Sequence, residues 1–152
     1  MIEKFISHRA NLYKKDNDRE NKIKAIYEVI DAGFDCEIDL WHYNNKLYLG
    51  HDKPTDLINI LNILEMKKNL WIHCKNLEAL SFFSYQEDRD LNYFWHQKDD
   101  FTLTSLNYIW TYPKKDVVPN SVIVDLLHTT RLNKKVFGIC SDNIYHAKKM
   151  YV

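Results

Sequence analysis

The sequence has little glycine and proline, with three residues of each among 152. Flexible linkers and disordered segments are usually rich in these residues, so neither is predicted here. Hydrophobic residues make up 45% of the chain, which is enough to build a buried core. We therefore expect one domain over residues 1–152.

The sequence also lacks an excess of charge of either sign. Lysine plus arginine number 21, and aspartate plus glutamate number 21. The charged clusters, such as KKDNDRENK, mix both signs and are typical of solvated turns. Because a neutral chain has no overall basic field, no nucleic-acid partner is expected.

Cysteine and long apolar runs are scarce as well. Cys36, Cys74 and Cys140 are odd in number, lie in apolar runs and show no CxxC spacing, which predicts buried reduced thiols rather than disulfides. The longest apolar runs fall far short of the ~20 residues of a membrane span. The N-terminus lacks the apolar core of a signal peptide. These absences predict a cytoplasmic protein with no membrane span.

Apolar runs that are present predict eight core strands and one hairpin arm. The strands are expected at 5–8, 34–40, 70–74, 91–96, 101–105, 107–112, 121–127 and 136–142, with the arm at 46–50. Helices are expected at 21–32, from Thr55 or Asp56 to about residue 67, at 76–84, and after a cap at Ser141 or Asp142.

The first half alternates strands with helices, which indicates βαβ units and parallel strands. Eight strands fit a closed barrel. The chain is shorter than the ~200–250 residues usual for a (β/α)8 barrel. The predicted fold class is therefore α/β, a compact, truncated (β/α)8 TIM-barrel-like fold with several outer helices shortened or missing.

Polar side chains stand at or near the carboxyl ends of these strands. They are His8-Arg9, Glu37 with Asp39, His73 with Lys75, His96-Gln97, Trp110-Thr111 and Ser141-Asp142. In a parallel barrel these ends meet at one mouth, where active sites form. Packing alone does not explain apolar runs that repeatedly end in such residues, so the mouth is predicted to be functional.

The Glu-x-Asp pair at 37 and 39 has two interpretations. Its spacing puts both carboxylates on one face of a strand. Two carboxylates this close repel each other unless a cation lies between them or one is protonated, and Mg²⁺ or Ca²⁺ suits oxygen ligands. The alternative is an ordinary solvated face of the strand.

A series of short motifs resembles the glycerophosphodiester phosphodiesterases, (β/α)8-barrel enzymes of the phospholipase-C-like phosphodiesterase superfamily. In the order seen in that family, the motifs are HR (8–9), EN (20–21), EID (37–39), GHD (50–52), IHCK (72–75), WTY (110–112) and GICSD (138–142). Each piece alone is a weak signal. The ordered set HR, EN, ExD and HD is specific.

The resemblance implies roles for individual residues. It implies catalysis by His8 and His51, metal binding by Glu37 and Asp39, phosphate contacts from Arg9 and Lys75, an aromatic contact from Trp110, and ordering of Arg9 by Glu20. The implied reaction is hydrolysis of a small glycerophosphodiester-like substrate, assisted by Mg²⁺ or Ca²⁺. Imidazoles exchange protons at neutral pH, and we assign His8 as base or nucleophile and His51 as acid.

Two further residues each have two interpretations. Asp52 either orients His51 or caps the turn before Pro54. His96 either binds substrate at the mouth or is a structural histidine among aromatic residues.

The chain departs from the family pattern at several points. Ala10 replaces the glycine that usually follows HR, and no proline follows the final Ser-Asp. His73 stands where a third metal carboxylate is often found, so we predict it as the third ligand, although imidazole is softer than carboxylate. A shortened barrel predicts either a more open mouth or a homo-oligomer that covers exposed faces.

Two other functions compete with the enzyme. The first is a non-catalytic barrel that binds a phosphorylated metabolite, which the His73 replacement and the short chain favour. The second is a structural or interaction domain whose polar strand ends form a hydrogen-bond network. The presence of both His8 and His51 beside Glu37 and Asp39 argues against the second.

Overall fold

The structure is a computed structural model that describes residues 2–152. Within that range the chain forms ten strands and four α-helices: β1 (Lys4–His8), α1 (Ile23–Asp31), β2 (Asp35–Tyr43), β3 (Lys46–Leu49), β4 (Asp56–Ile58), α2 (Ile60–Met66), β5 (Leu70–Cys74), α3 (Leu77–Ser84), β6 (Tyr93–Trp95), β7 (Phe101–Leu103), β8 (Ile109–Thr111), β9 (Ser121–Val124), β10 (Gly138–Ser141) and α4 (Ile144–Tyr151). None of these helices has the length and apolar character that a membrane crossing requires.

The strands form one curled sheet with the shape of a half barrel. Eight of them follow the order β4-β3-β2-β1-β10-β9-β8-β7, and β5 followed by β6 continues from β2. The pairs β2–β3, β3–β4 and β7–β8 are antiparallel, and the remaining pairs are parallel. The carboxyl ends of β1, β2, β5, β6, β8, β9 and β10 therefore lie at one rim of the curl.

The predicted (β/α)8 barrel is wrong. The sheet is mixed rather than wholly parallel, and no described residue between β6 and β10 is helical. The predicted strands at 101–105 and 107–112 are instead an antiparallel pair, β7 and β8, turning at Asn107 with a φ of 66°. The five residues 104–108 between these strands suffice for a hairpin, whereas a parallel crossover needs about a dozen.

The second helix begins later than predicted. Residues 56–58 form the edge strand β4, and neither Thr55 nor Asp56 caps a helix. Asn59 is the cap, and its side chain accepts a hydrogen bond from the backbone N–H of Leu61 at 2.9 Å. An Asn side chain at this position satisfies one of the backbone donors left free in the first helical turn.

The hairpin arm β3 lies beyond the end of β1, on the same edge of β2. Both β1 and β5 pair with Cys36 and Glu37, so they occupy opposite edges of β2. Both β3 and β5 pair with Leu40, so β3 must lie on the β1 side. The chain leaving β3 is therefore returned to the rim where β1 ends.

Gly50 makes that return possible. Its φ is 146°, and a Cβ at this position would lie 2.1 Å from the carbonyl oxygen of Lys53. Its N–H donates to the carbonyl of Asp39 at 3.2 Å. A side chain cannot fit between these backbone segments, so glycine is required immediately before His51.

Two groups of apolar side chains pack against the curled sheet and stabilise it. The larger lies between the sheet and the helices, as in other layered α/β folds. The smaller fills the inside of the curl and consists of Ile6, Trp71, Phe94, Trp110, Val122 and Cys140. The inner group packs below the polar rim and forms its apolar floor. The three cysteines are buried and unpaired, as predicted.

Candidate functional site

A cavity of about 390 Å³ opens at the rim formed by the strand ends. Eight predicted site residues line it: His8, Arg9, Glu37, His51, His73, Lys75, His96 and Trp110. Asp39 is buried against three of them, with ion contacts to Arg9, His73 and Lys75. Glu20 and Asp52 line an adjacent cavity that shares Arg9 and His51. The fold thus brings all the predicted site residues together despite its difference from a barrel.

The turn after β1 places Arg9 over the carboxylates. Arg9 and Ala10 both have left-handed backbones, with φ of 54° and 72°. The backbone N–H of Arg9 donates to the carbonyl of Glu37 at 3.0 Å and to its side-chain Oε2 at 3.3 Å. Glycine adopts such a backbone without strain, which accounts for glycine as the usual family residue at Ala10.

Glu37 and Asp39 project from the same face of β2, as the alternation of a strand requires. Their exposed fractions are 2% and 0%, so the alternative of a solvated face is wrong. Asp39 is held by Asn21, whose amide N–H donates to Oδ2 at 2.9 Å and whose Oδ1 accepts from the Asp39 N–H at 2.9 Å. The Nε of Arg9 lies 3.0 Å from the same Oδ2.

The two carboxyls differ in their electrostatic surroundings. Burial and the neighbouring charge of Asp39 raise the pKa of Glu37. Burial also disfavours ionisation of Asp39, yet the cationic groups of His73, Arg9 and Lys75 outweigh it and hold its pKa below the usual range. Asp39 is therefore the firmly ionised member, and Glu37 is the one destabilised by its charge.

His73 completes a cluster of three candidate metal ligands. Its Nδ1 lies 3.2 Å from Oδ1 of Asp39 and 3.7 Å from Oε1 of Glu37. Ligand atoms of these three residues all lie within 4.8 Å of one another. One ion with bonds of about 2.1 Å separates its ligand atoms by roughly 3.0–3.4 Å, so the donor set suits a divalent metal and the ligand atoms would draw closer together on binding it.

His8 belongs to a buried polar network. Its Nδ1 lies 2.7 Å from Oδ1 of Asp142, and the side-chain amide of Asn11 donates to that same oxygen at 2.8 Å. Asn11 also donates to Glu20 at 3.0 Å, and Glu20 lies 3.6 Å from Arg9. The predicted contact between Glu20 and Arg9 is therefore present. With Nδ1 bound to a carboxylate, the other ring nitrogen of His8 is left for chemistry at the cavity.

His51 has a similar but more exposed arrangement. Its Nδ1 lies 2.7 Å from Oδ1 of Asp52, which favours the orienting role of Asp52 over the capping role. Burial and the nearby charge of Arg9 lower the pKa of His51. For His8, burial opposes the charged ring, but the hydrogen bond with Asp142 and the charge of Glu37 outweigh it and raise the pKa.

We expect the two histidines to titrate on opposite sides of the ~6.5 of a free imidazole. Nitrogen-detected NMR of metal-free protein should give a pKa above this value for His8 and below it for His51. Because the pKa of His8 is raised by folding, its charged form stabilises the fold below pH ~6.5, and this contribution is lost as the pH rises through the folded-state pKa.

The same titration tests the cause of the shift. Replacing Asp142 by asparagine removes the charge but keeps a polar side chain of the same size. Asp142→Asn should lower the pKa of His8 and leave that of His51 in place. An unchanged His8 pKa in Asp142→Asn would contradict the role assigned to this pair.

The far side of the cavity is aromatic and apolar. Trp95, Trp110, Tyr112, Val124 and Leu126 line it. Trp110 stacks on Phe94 with ring centroids 4.8 Å apart. A substrate with an anionic group toward the histidines and an organic group toward this wall would match both halves of the cavity.

Several residues of the site were missed or misassigned from the sequence. Asp142 was considered as a helix cap, but Asn143 caps α4 and accepts from the N–H of His146 at 3.0 Å. Asn21 lies in the EN motif, but no role for it was predicted. Asn11 has no signal in the sequence, because its importance arises only from the turn that places it beside Asp142.

Comparison with family models, with curated proteins and with solved structures finds no match for this chain.

Proposed function

We propose that this protein is a phosphodiesterase that hydrolyses a small phosphodiester of the glycerophosphodiester type with the help of a divalent metal ion. The observation that carries the proposal is one cavity flanked by two histidines, each bound through Nδ1 to an aspartate, beside the Glu37, Asp39 and His73 cluster. The family resemblance of the ordered motifs agrees with it.

The charge of the cavity suits an anionic substrate. The cationic side chains of Arg9 and Lys75 line it together with four histidines, against the single lining carboxylate of Glu37. The whole chain carries no net charge, so this concentration of basic groups is a local property. Arg9 and Lys75 are placed to contact phosphate oxygens and to stabilise the charge that grows on them in the transition state.

The two histidines divide the proton transfers. His8 is assigned as base or nucleophile and His51 as the donor to the leaving alkoxide. Because the pKa of His8 is raised and that of His51 is lowered, the form with His8 unprotonated and His51 protonated would be a minor fraction, in which His8 is a strong base and His51 a strong acid. Asp142 and Asp52 hold the two rings so that the second nitrogen of each is free to act. A bound metal ion would supply Lewis-acid stabilisation of the phosphoryl oxygens.

The test is hydrolysis of glycerophosphodiesters and of bis-p-nitrophenyl phosphate by metal-depleted protein to which Mg²⁺, Ca²⁺ or Mn²⁺ is returned. We expect release of the alcohol in at least one metal and its loss on addition of a chelator. Absence of turnover with every metal and both substrates would overturn the proposal.

One observation favours binding without turnover as the second candidate. Asp39 already has two cationic neighbours, with Arg9 at 3.0 Å and Lys75 at 3.6 Å, and His73 lies 3.2 Å away. Such a cluster balances its own charge and needs no metal to do so. Saturable binding of glycerol phosphate without hydrolysis of any diester would select this candidate.

A further inference from the structure

The orientation of His73 is set by a backbone carbonyl on the neighbouring strand. Its Nε2 lies 2.9 Å from the carbonyl oxygen of His96. A carbonyl oxygen only accepts hydrogen bonds, so Nε2 must carry the hydrogen and donate it. The ring also stacks on Phe94, with centroids 5.2 Å apart and planes within 8° of parallel. Together, these contacts fix both the rotation of the ring and the nitrogen that carries its hydrogen.

In the neutral ring, the other nitrogen faces the two carboxylates with a lone pair. A neutral ring with its hydrogen on Nε2 presents Nδ1 as an acceptor, at 3.2 Å from Oδ1 of Asp39 and 3.7 Å from Oε1 of Glu37. Three acceptors facing one another repel unless a positive charge lies among them. That charge is either a second ring proton or a metal ion.

A second observation marks the same point in the site. Oδ1 of Asp39 is fully buried and makes no hydrogen bond, although Oδ2 of the same carboxylate is well bonded. Nζ of Lys75 lies 3.6 Å from Oδ1, beyond hydrogen-bond distance, so this oxygen keeps a lone pair directed at the candidate ligand cluster. A bound cation would satisfy that lone pair. The geometry of Asp39 and the hydrogen position of His73 thus agree.

We propose that the Glu37, Asp39 and His73 site selects a divalent transition ion, such as Mn²⁺, Co²⁺ or Zn²⁺, over Mg²⁺ and Ca²⁺, with Nδ1 of His73 as the selecting ligand. The inference rests on the metal site of the proposed function. Mg²⁺ and Ca²⁺ prefer oxygen, whereas imidazole nitrogen favours first-row transition ions. The carbonyl of His96 acts as the outer partner that directs the ring toward the ion. The sequence-based expectation of Mg²⁺ or Ca²⁺ is revised accordingly.

The test is metal binding, measured without any substrate. Metal-depleted protein is titrated with Mn²⁺ and followed by electron paramagnetic resonance, and Mg²⁺ or Ca²⁺ is then added as competitor. We expect the wild-type protein to bind Mn²⁺ about 100-fold more tightly than either competitor. Pulsed measurements on the Mn²⁺ complex should show coupling to a nitrogen nucleus.

Two substitutions of His73 test whether its Nδ1 is the ligand that selects the metal ion. His73→Gln keeps a side-chain N–H that can reach the His96 carbonyl but lacks the Nδ1 ligand, so Mn²⁺ affinity should fall by about 10–100-fold and the nitrogen coupling should vanish. His73→Glu supplies an oxygen instead, so the preference should shift toward Mg²⁺ and Ca²⁺. Circular dichroism verifies that each variant is folded.

The wild-type titration alone is decisive if a variant fails to fold. Equal affinity for Mn²⁺ and Mg²⁺, an Mn²⁺ complex without nitrogen coupling, or no binding of any ion overturns the inference. Tight Mn²⁺ binding with nitrogen coupling but no diester hydrolysis leaves the inference standing and overturns the enzymatic function. Hydrolysis with Mg²⁺ and no preference for Mn²⁺ overturns the inference and leaves the enzymatic function standing.

Discussion

Replacing His8 by alanine should lower kcat/KM for a glycerophosphodiester by about 10²–10⁴-fold, the range for loss of a proton-transferring side chain. His51→Ala should cause a loss of similar size on the same substrate. The physical reason is that an alkoxide is a poor leaving group and needs both an attacking base and a proton donor. Steady-state kinetics with the preferred metal ion provide the measurement.

Substrates with different leaving groups distinguish the role of His8 from that of His51. A p-nitrophenolate departs without receiving a proton, so bis-p-nitrophenyl phosphate makes the donor dispensable but not the base or nucleophile. His8→Ala should therefore lose activity on both substrates, and His51→Ala should lose much less on the nitrophenyl ester. His146→Ala is the matched control, because this histidine is exposed and does not line the cavity. Equal losses of His51→Ala on both substrates would refute its role as donor.

The second large effect concerns the stability of the fold. Neutralising Asp39 should lower the stability, whereas neutralising Glu37 should raise it. Asp39→Asn should lower the free energy of unfolding by roughly 3–5 kcal/mol, because it leaves Arg9 and its neighbours buried without their counter-charge. Glu37→Gln should raise the melting temperature of the metal-free protein, because burial and the charge of Asp39 already disfavour its ionised form. Chemical and thermal denaturation in the presence of a chelator measure both.

The pH dependence of these effects follows from the pKa shifts. The pKa of Asp39 is lowered by folding, so its charge stabilises the fold above the usual carboxylate pKa of ~3.9, and this stabilisation fades on acidification. The pKa of Glu37 is raised, so its penalty grows as the pH rises above the usual glutamate value of ~4.3 and is complete above the folded-state value. The variants Asp39→Asn and Glu37→Gln should both bind the metal ion more weakly. A stability loss in Glu37→Gln equal to that in Asp39→Asn would contradict the electrostatic difference between them.

The grouping of the candidate site residues was largely predictable, because the ends of parallel strands meet at one rim in a half barrel as in a closed one. The motifs HR, ExD and HD single out the histidines and the carboxylates, and the strand alternation of residues 37 and 39 predicts their common face. The fold was predicted less well. Eight apolar runs predict eight barrel strands, although the short spacing between the runs at 101–105 and 107–112 leaves no room for a parallel crossover, and these runs form an antiparallel pair.

What the sequence could not provide are contacts between distant segments. The hydrogen on Nε2 of His73 depends on a carbonyl 23 residues away. The pKa of His8 is raised because the hydrogen bond with Asp142 and the charge of Glu37, both far away in sequence, outweigh the opposing effect of burial. Asn59 rather than Asp56 caps α2, because residues 56–58 pair with β3 as strand β4. The helical spacing of the apolar residues at 57–64 gives no sign of this pairing.

The parallel pairing of β1 with β10 has a consequence for synthesis of the protein. His8 and Asp142 are separated by 134 positions, so a ribosome adding about 5–20 residues per second makes the second roughly 7–27 s after the first. Throughout that interval β1 lacks one of its two neighbouring strands. The nascent chain must stay open along one edge of β1, and the His8–Asp142 pair forms only after β10 has left the ribosome.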